Sequence, residues 1–149
     1  MTHCPLTIRA FEAADTACLS EIWCRASLQA HPFLGRERLR EQRGLIEEVY
    51  LPQAETWVAC LAGRPAGFIG LLDAFIGGLF VDPEQQRGGL GRALVAHALR
   101  LKGELSVEVY AANAGARAFY RRLGFEETGR RPEDDNGLPF ELVRLRLTA

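Results

Sequence analysis

Two stretches of this chain combine residue types and spacing that could do chemistry. The first is Gln86-Arg87-Gly88-Gly89-Leu90-Gly91-Arg92. It lies between a β-rich segment and an apolar-periodic stretch, so it reads as a strand-to-helix turn. The first amide N–H groups of a helix have no partner inside it. With the helix dipole they form a site for a phosphate or pyrophosphate, to which Arg87 and Arg92 would add charge. The P-loop spacing fails, because no Gly-Lys-Ser/Thr follows. The dinucleotide fingerprint fails as well: Gly89-x-Gly91 is present, but its third position is Leu94 and a meander precedes it. ATP and NAD are disfavoured.

The second stretch runs from Asn113 to Phe125. Asn113 and Tyr120 are seven residues apart, nearly two helical turns, and so share a face. Tyr120 belongs to an apolar stripe with Ala116, Phe119 and Leu123. On that stripe alone it reads first as a core aromatic, although its phenol keeps its proton at pH 7 and would also suit a donor. Glu108 alternates out of the Leu105/Val107/Val109 face of a strand, toward a possible cleft. An ordinary solvated glutamate fits the same pattern.

The elements that must carry these residues follow from periodicity. LTIRAF (6–11) alternates as a first strand, and Asp15 is placed to cap a helix through Leu19, Ile22, Trp23 and Leu28. His31-Pro32 breaks it, and a second helix covers about 36–50. TWVACLA, GFIGLL and AFIGGLFV form an antiparallel meander, with Gly77-Gly78 marking a bulge or the close approach of another backbone or ligand. A helix from Leu90 to Gly103, a strand over 104–110, a helix opened by Asn113 and closed by Gly124, and a hairpin (125–131 with 140–147) complete the order. Asp135-Asn136-Gly137 is the hairpin's turn signal. A shift of alternation at Leu142/Val143 predicts a bulge there. The expectation is a single mixed α/β (α+β) domain over 1–149 with about four helices.

Gln86-x-x-Gly89-x-Gly91, preceded by Leu79-Phe80-Val81-Asp82-Pro83, resembles the acyl-CoA pyrophosphate loop of the GCN5-related N-acetyltransferase (GNAT) superfamily. Asn113-x-x-Ala116-x-x-Phe119-Tyr120-x-x-Leu123-Gly124-Phe125 resembles that superfamily's second signature, in the expected order and on the expected elements. Ile22-Trp23-Cys24-Arg25, His31 with Phe33-Leu34, and Thr128-Gly129-Arg130 resemble the small bacterial YjaB-like group within it, which are peptidyl-lysine acetyltransferases. The resemblance implies a mostly antiparallel sheet splayed between its fourth and fifth strands, with acetyl-CoA as cosubstrate. It implies that backbone at Leu79, Phe80 and Val81 meets the pantetheine arm and thioester, and that amides of Gln86, Arg87, Gly88, Gly89, Leu90, Gly91 and Arg92 hold the pyrophosphate. By the same resemblance Asn113 contacts the CoA arm, and Tyr120 binds the cosubstrate and is the general acid to its sulfur. The loop between the first two helices shapes the acceptor site, which makes His31 the substrate-binding candidate. Glu108 and His31 both stand as candidates for the base.

Composition sets the bounds. The 149 residues are 48% hydrophobic and 25% charged, as in ordinary globular proteins. A net charge of −1 argues against nucleic acid as a partner. Residues 82–131 hold nine basic against six acidic side chains, which suits an anionic ligand in that half. Cys4, Cys18, Cys24 and Cys60 lack metal-ligand spacing, so no metal is expected. No signal peptide or bilayer-spanning run is visible, and the expectation is a cytoplasmic protein, monomer or homodimer, without membrane partners. The acidic run Glu133-Asp134-Asp135 would suit a cationic acceptor near the mouth. The functional expectation is acetyl transfer by direct attack of a primary amine, a protein or peptide lysine first. The alternatives are a small amine of polyamine or antibiotic type, and a non-catalytic acyl-CoA-binding module.

Overall fold

The computed structural model describes residues 5–30, 36–85, 88–134 and 137–149. One seven-stranded sheet, ordered β1-β2-β3-β4-β5-β7-β6, organises the chain. Its strands are β1 (Leu6–Ala10), β2 (Glu55–Leu61), β3 (Arg64–Leu72), β4 (Phe75–Val81), β5 (Glu104–Tyr110), β6 (Glu126–Arg131) and β7 (Leu142–Thr148). All neighbours are antiparallel except β4 and β5, which are parallel and pair only at Phe75–Ser106 and Ile76–Val107. Beyond those two pairs the strands part.

Among the described residues, four helices cover the sheet. They are α1 (Thr16–Ala30), α2 (Arg36–Leu45), α3 (Leu90–Lys102) and α4 (Ala114–Arg122); α2 runs on through a π-helical turn at Ile46–Tyr50 and a short turn at Leu51–Gln53. On one face, Leu90, Leu94, Val95 and Ala98 of α3 and Tyr120 of α4 pack on Ile69, Leu71, Ile76, Leu105 and Val107. On the other, Leu19, Ile22 and Trp23 of α1, with Leu51, pack on Val58, Cys60 and Phe68. The 3–4 spacing along α1 aligns these apolar side chains on one stripe.

The bulge expected at Gly77-Gly78 is present, and it sets the phase of β4. Gly70 faces Gly78 while Leu71 faces Ile76, so Gly77 is an extra residue. The inserted residue reverses the alternation. Ile76, Leu79 and Val81 consequently all face the α3/α4 core, whereas Phe80 turns toward α1. A Cβ on Gly78 would stand 2.5 Å from the Phe80 ring, so only glycine admits that ring over the strand.

Two local expectations are corrected. Asp15 does not cap α1. It ends a short 3-10 turn (Ala13–Asp15), where its carboxylate accepts the Glu12 amide at 2.9 Å and a bidentate pair of bonds from Arg9 at 2.7 and 2.8 Å. The charge-assisted partner outcompetes a neutral amide at the helix start. The hairpin bulge falls on β6, where Thr128 is the extra residue, and not at Leu142/Val143 on β7. The turn at Asp135-Asn136 lies outside the described residues.

Candidate active site

The parting of β4 and β5 opens the site. A cavity of about 760 Å³ lies on the α3/α4 side, lined by Leu79, Phe80, Val81, Gly89, Gly91, Arg92, Asn113, Tyr120 and Arg122 among others. A second, of about 330 Å³, is walled by the β4 bulge and by Val107 to Tyr110 of β5, with Gln42, Asp134 and Leu142. Leu79, Phe80, Asn113, Ala116 and Tyr120 border both. The two spaces therefore meet at the start of α4 and the middle of β4.

At the mouth of the larger cavity stands the N-terminus of α3. Gly89 is its N-cap, with φ +79° and no side-chain cap, and the first helical bond runs from the Ala93 amide to the Gly89 carbonyl at 3.0 Å. The amides of Leu90, Gly91 and Arg92 thus precede the helix's own bonding. Glycine is required at 89 by its left-handed φ, since a Cβ there would meet nothing within 4 Å; at 91 the reason is contact, because a Cβ would lie 3.0 Å from Phe119 Cζ. Leu90 contributes only backbone, its side chain being fully buried in the core. Gly88 is exposed, its amide bonded to the Gln85 carbonyl at 3.2 Å. Gln86, Arg87 and His31 lie outside the described residues.

The loop's root is tied down. Asp82, the first residue after β4, accepts the Arg25 guanidinium from α1 at 2.8 Å and the Glu84 amide at 3.1 Å. Its own amide donates to the Ala66 carbonyl at 2.8 Å. That bond fixes parity: backbone groups of Asp82 and Phe80 face β3, so those of Leu79 face the opening toward β5.

Asn113 is the N-cap of α4, its Oδ1 accepting the Ala116 amide at 3.0 Å. Tyr120 is 5% exposed, its ring edge-on between Phe119 and Phe125 with centroids 5.1 Å from each. The core reading and the functional reading of this tyrosine coexist: the ring packs, while the residue borders both cavities.

Glu108 lines the smaller cavity. Its carboxylate accepts a bidentate pair from Arg131 at 2.9 and 3.0 Å and a longer bond from Arg144, its register partner on β7, at 3.4 Å. Sequence reasoning missed Gln42 and Tyr110 as lining residues, since their place depends on α2 and the end of β5 meeting the bulge. Asp134 carried a signal only as part of an acidic run.

A helix N-terminus at one mouth, a splayed strand pair and a phenol where two cavities join define an acyl-group transferase rather than a nucleotide hydrolase. The larger cavity and the amide cluster fit the pantetheine arm and pyrophosphate of acyl-CoA. Comparison gives the family. A model described as the acetyltransferase (GNAT) domain matches residues 52–127. The peptidyl-lysine N-acetyltransferase YjaB of Escherichia coli (strain K12) is 38% identical over 141 residues, 94% of this chain and 95% of that protein. YiaC of the same organism, another peptidyl-lysine N-acetyltransferase, is 29% identical over 89% of this chain and 91% of its own. The solution structure of apo-form YjaB from Escherichia coli superposes with a TM-score of 0.88 at 37% identity, covering 97% of this chain and 99% of that one. This chain belongs to the GNAT family and is an acetyl-CoA-dependent N-acetyltransferase. Among the described residues no group of three or more His, Cys, Asp or Glu side chains could hold a metal ion, and no helix is long and apolar enough to cross a membrane.

Proposed function

We propose that the acceptor is the side-chain amine of a protein or peptide lysine, and that transfer is direct. The observation that carries this is the junction of a large and a small cavity at Leu79 and Tyr120. Donor and acceptor enter from opposite sides and meet where the strands part. The names of YjaB and YiaC support lysine as the acceptor. So does the smaller cavity, whose apolar walls (Ile76, Val107, Val109, Leu142) suit methylenes.

In this reading the Gly89–Arg92 amides and Arg92 hold the pyrophosphate, and Val81, Phe80 and Asn113 border the arm. The Leu79 N–H faces the thioester oxygen and stabilises the charge that develops there. Tyr120 gives its phenolic proton to the departing sulfur. An ammonium of pKa about 10.4 must lose its proton before attack, at a cost of about 4–5 kcal/mol at pH 7. Glu108, held by Arg131 and Arg144, borders the acceptor side, and the proton leaves through water. No cysteine is needed as a nucleophile.

Thiol release from acetyl-CoA, measured against lysine peptides, polyamines and aminoglycosides, tests the reading. Peptide-dependent release is the expected outcome. Release with small amines alone would refute lysine as the acceptor, and tight acetyl-CoA binding without any release would make this a binding module.

A further inference from the structure

Arg122, in the last turn of α4, lines the larger cavity, and the chemistry above does not use it. It is exposed, and its place along the cavity follows from the helix that carries it. Asn113, the N-cap of α4, borders the junction of the two cavities. A Cβ on Gly91 would stand 3.0 Å from the Phe119 ring, so the first turn of α3 lies against Phe119. Arg122 follows Phe119 by three residues, on the same side of α4 and about 4.5 Å further from Asn113 along the axis. The order outward is therefore the junction, the N-terminus of α3, then Arg122. Arg92 and Arg122 both border this cavity, and among the described residues neither guanidinium has a hydrogen-bond or ion-pair partner. The arginines of β6 and β7 differ: Arg130, Arg131, Arg144 and Arg146 each meet a carboxylate. The mouth of the larger cavity thus carries two uncompensated positive charges, which draw an anion.

We propose that Arg122 binds the 3′-phosphate on the ribose of acyl-CoA, and so selects CoA over thioesters that lack this group. The proposal rests on the assignment of the pyrophosphate to the N-terminus of α3. In CoA the groups follow one another as thiol, pantetheine, pyrophosphate and 3′-phosphorylated ribose. With the thioester at the junction and the pyrophosphate at the α3 amides, the ribose falls beside the turn that carries Arg122. A phosphate monoester holds about −1.5 to −2 charge at pH 7, and a guanidinium grips two of its oxygens in parallel. The α3 amides and Arg92 meanwhile hold the pyrophosphate, so the two guanidinium groups serve two different anions. A ligand without the 3′-phosphate would leave Arg122 in water and keep its pyrophosphate contacts.

Two ligands that differ only in this group make the test. CoA and 3′-dephospho-CoA would be titrated into wild type, Arg122→Gln and Arg92→Gln and followed by calorimetry. Wild type is expected to bind CoA about tenfold more tightly than 3′-dephospho-CoA. Arg122→Gln should erase that preference, weakening CoA by about the same factor and leaving 3′-dephospho-CoA as it was. Arg122→Lys, which keeps the charge without the fork, should retain part of the preference. Because Arg122 is exposed, melting temperature without ligand should be unchanged in its variants. Equal binding of the two ligands by wild type overturns the proposal, as does a preference that survives in Arg122→Gln. An equal loss of both ligands in Arg122→Gln also overturns it, since Arg122 would then meet the pyrophosphate. Arg92→Gln tests the assignment beneath the proposal: it should weaken both ligands alike and keep the wild-type preference. If Arg92→Gln and Gly89→Ala bound both ligands as wild type does, the pyrophosphate assignment would fail, while an Arg122-dependent preference would still identify the 3′-phosphate site.

Discussion

Replacing Tyr120 with phenylalanine removes one oxygen from a ring that is otherwise packed. The ring lies between Phe119 and Phe125 at 5.1 Å from each, and phenylalanine can keep both contacts. The stability change should therefore be about 1 kcal/mol, the net worth of a hydrogen bond. The catalytic change is larger and depends on pH. A thiol with pKa near 8.5 that departs as thiolate at pH 7 forgoes about 2 kcal/mol of protonation. At about 1.36 kcal/mol per decade, that is a loss of roughly 30-fold in kcat. The penalty shrinks as pH approaches the thiol's own pKa, so the wild-type-to-variant ratio should fall steadily between about pH 7 and 8.5. The assay is thiol release at saturating acetyl-CoA across that range, with CoA affinity measured separately by calorimetry. An unchanged kcat, a ratio that does not vary with pH, or an equal loss in kcat and CoA affinity would each refute the proton-donor role and leave Tyr120 as packing.

Gly89→Ala forces a side chain into a left-handed backbone, at a cost of about 1–2 kcal/mol; CoA affinity by calorimetry should fall, and an unchanged Kd would sink the anion-loop assignment. Arg25→Gln frees the root of that loop. Because the Arg25–Asp82 pair is part-exposed, the rise in acetyl-CoA KM should be modest, about two- to fivefold, with kcat retained; a fall in kcat alone would contradict the positioning argument. His97, on α3, lies edge-on to Trp57 at 4.5 Å with Nε2 buried and without a hydrogen-bond partner among the described residues. Burial and then Arg100 push its pKa below the ordinary histidine value. The unfolded chain therefore binds the proton first, and stability present above about pH 6.5 is lost as pH falls toward the folded value. Urea midpoints at about pH 7.5 and 5 should differ less in His97→Leu than in wild type; an identical difference would exclude His97 as a source.

The glycine turn and the Asn113/Tyr120 face were legible because residue type and spacing within one element suffice to define them. The Gly77 bulge was legible too, but its effect on which way Leu79 and Phe80 turn needed the register with β3. Asp15 misled because its competitor, Arg9, reaches it from a neighbouring strand. Glu108 shows the same limit: alternation gave its face, while Arg131 and Arg144 arrive from β6 and β7, and no local pattern announces such partners. The lining roles of Gln42 and Tyr110 likewise depend on elements that meet only in the folded chain.

The two backbone pairs that join β4 to β5 make the molecule two leaves on a short spine. One leaf is β1 to β4 and the other β5 to β7, and much of their remaining union is the side-chain packing beneath α3 and α4. A ligand lodged between them adds the rungs that the sheet omits. Occupancy should therefore be felt as cohesion: CoA raises the unfolding free energy by RT ln(1 + [L]/Kd), and amide exchange along Leu79 to Val81 slows together with that along Val107 to Tyr110. The breach that admits the cosubstrate is also the seam along which the empty fold would first come apart.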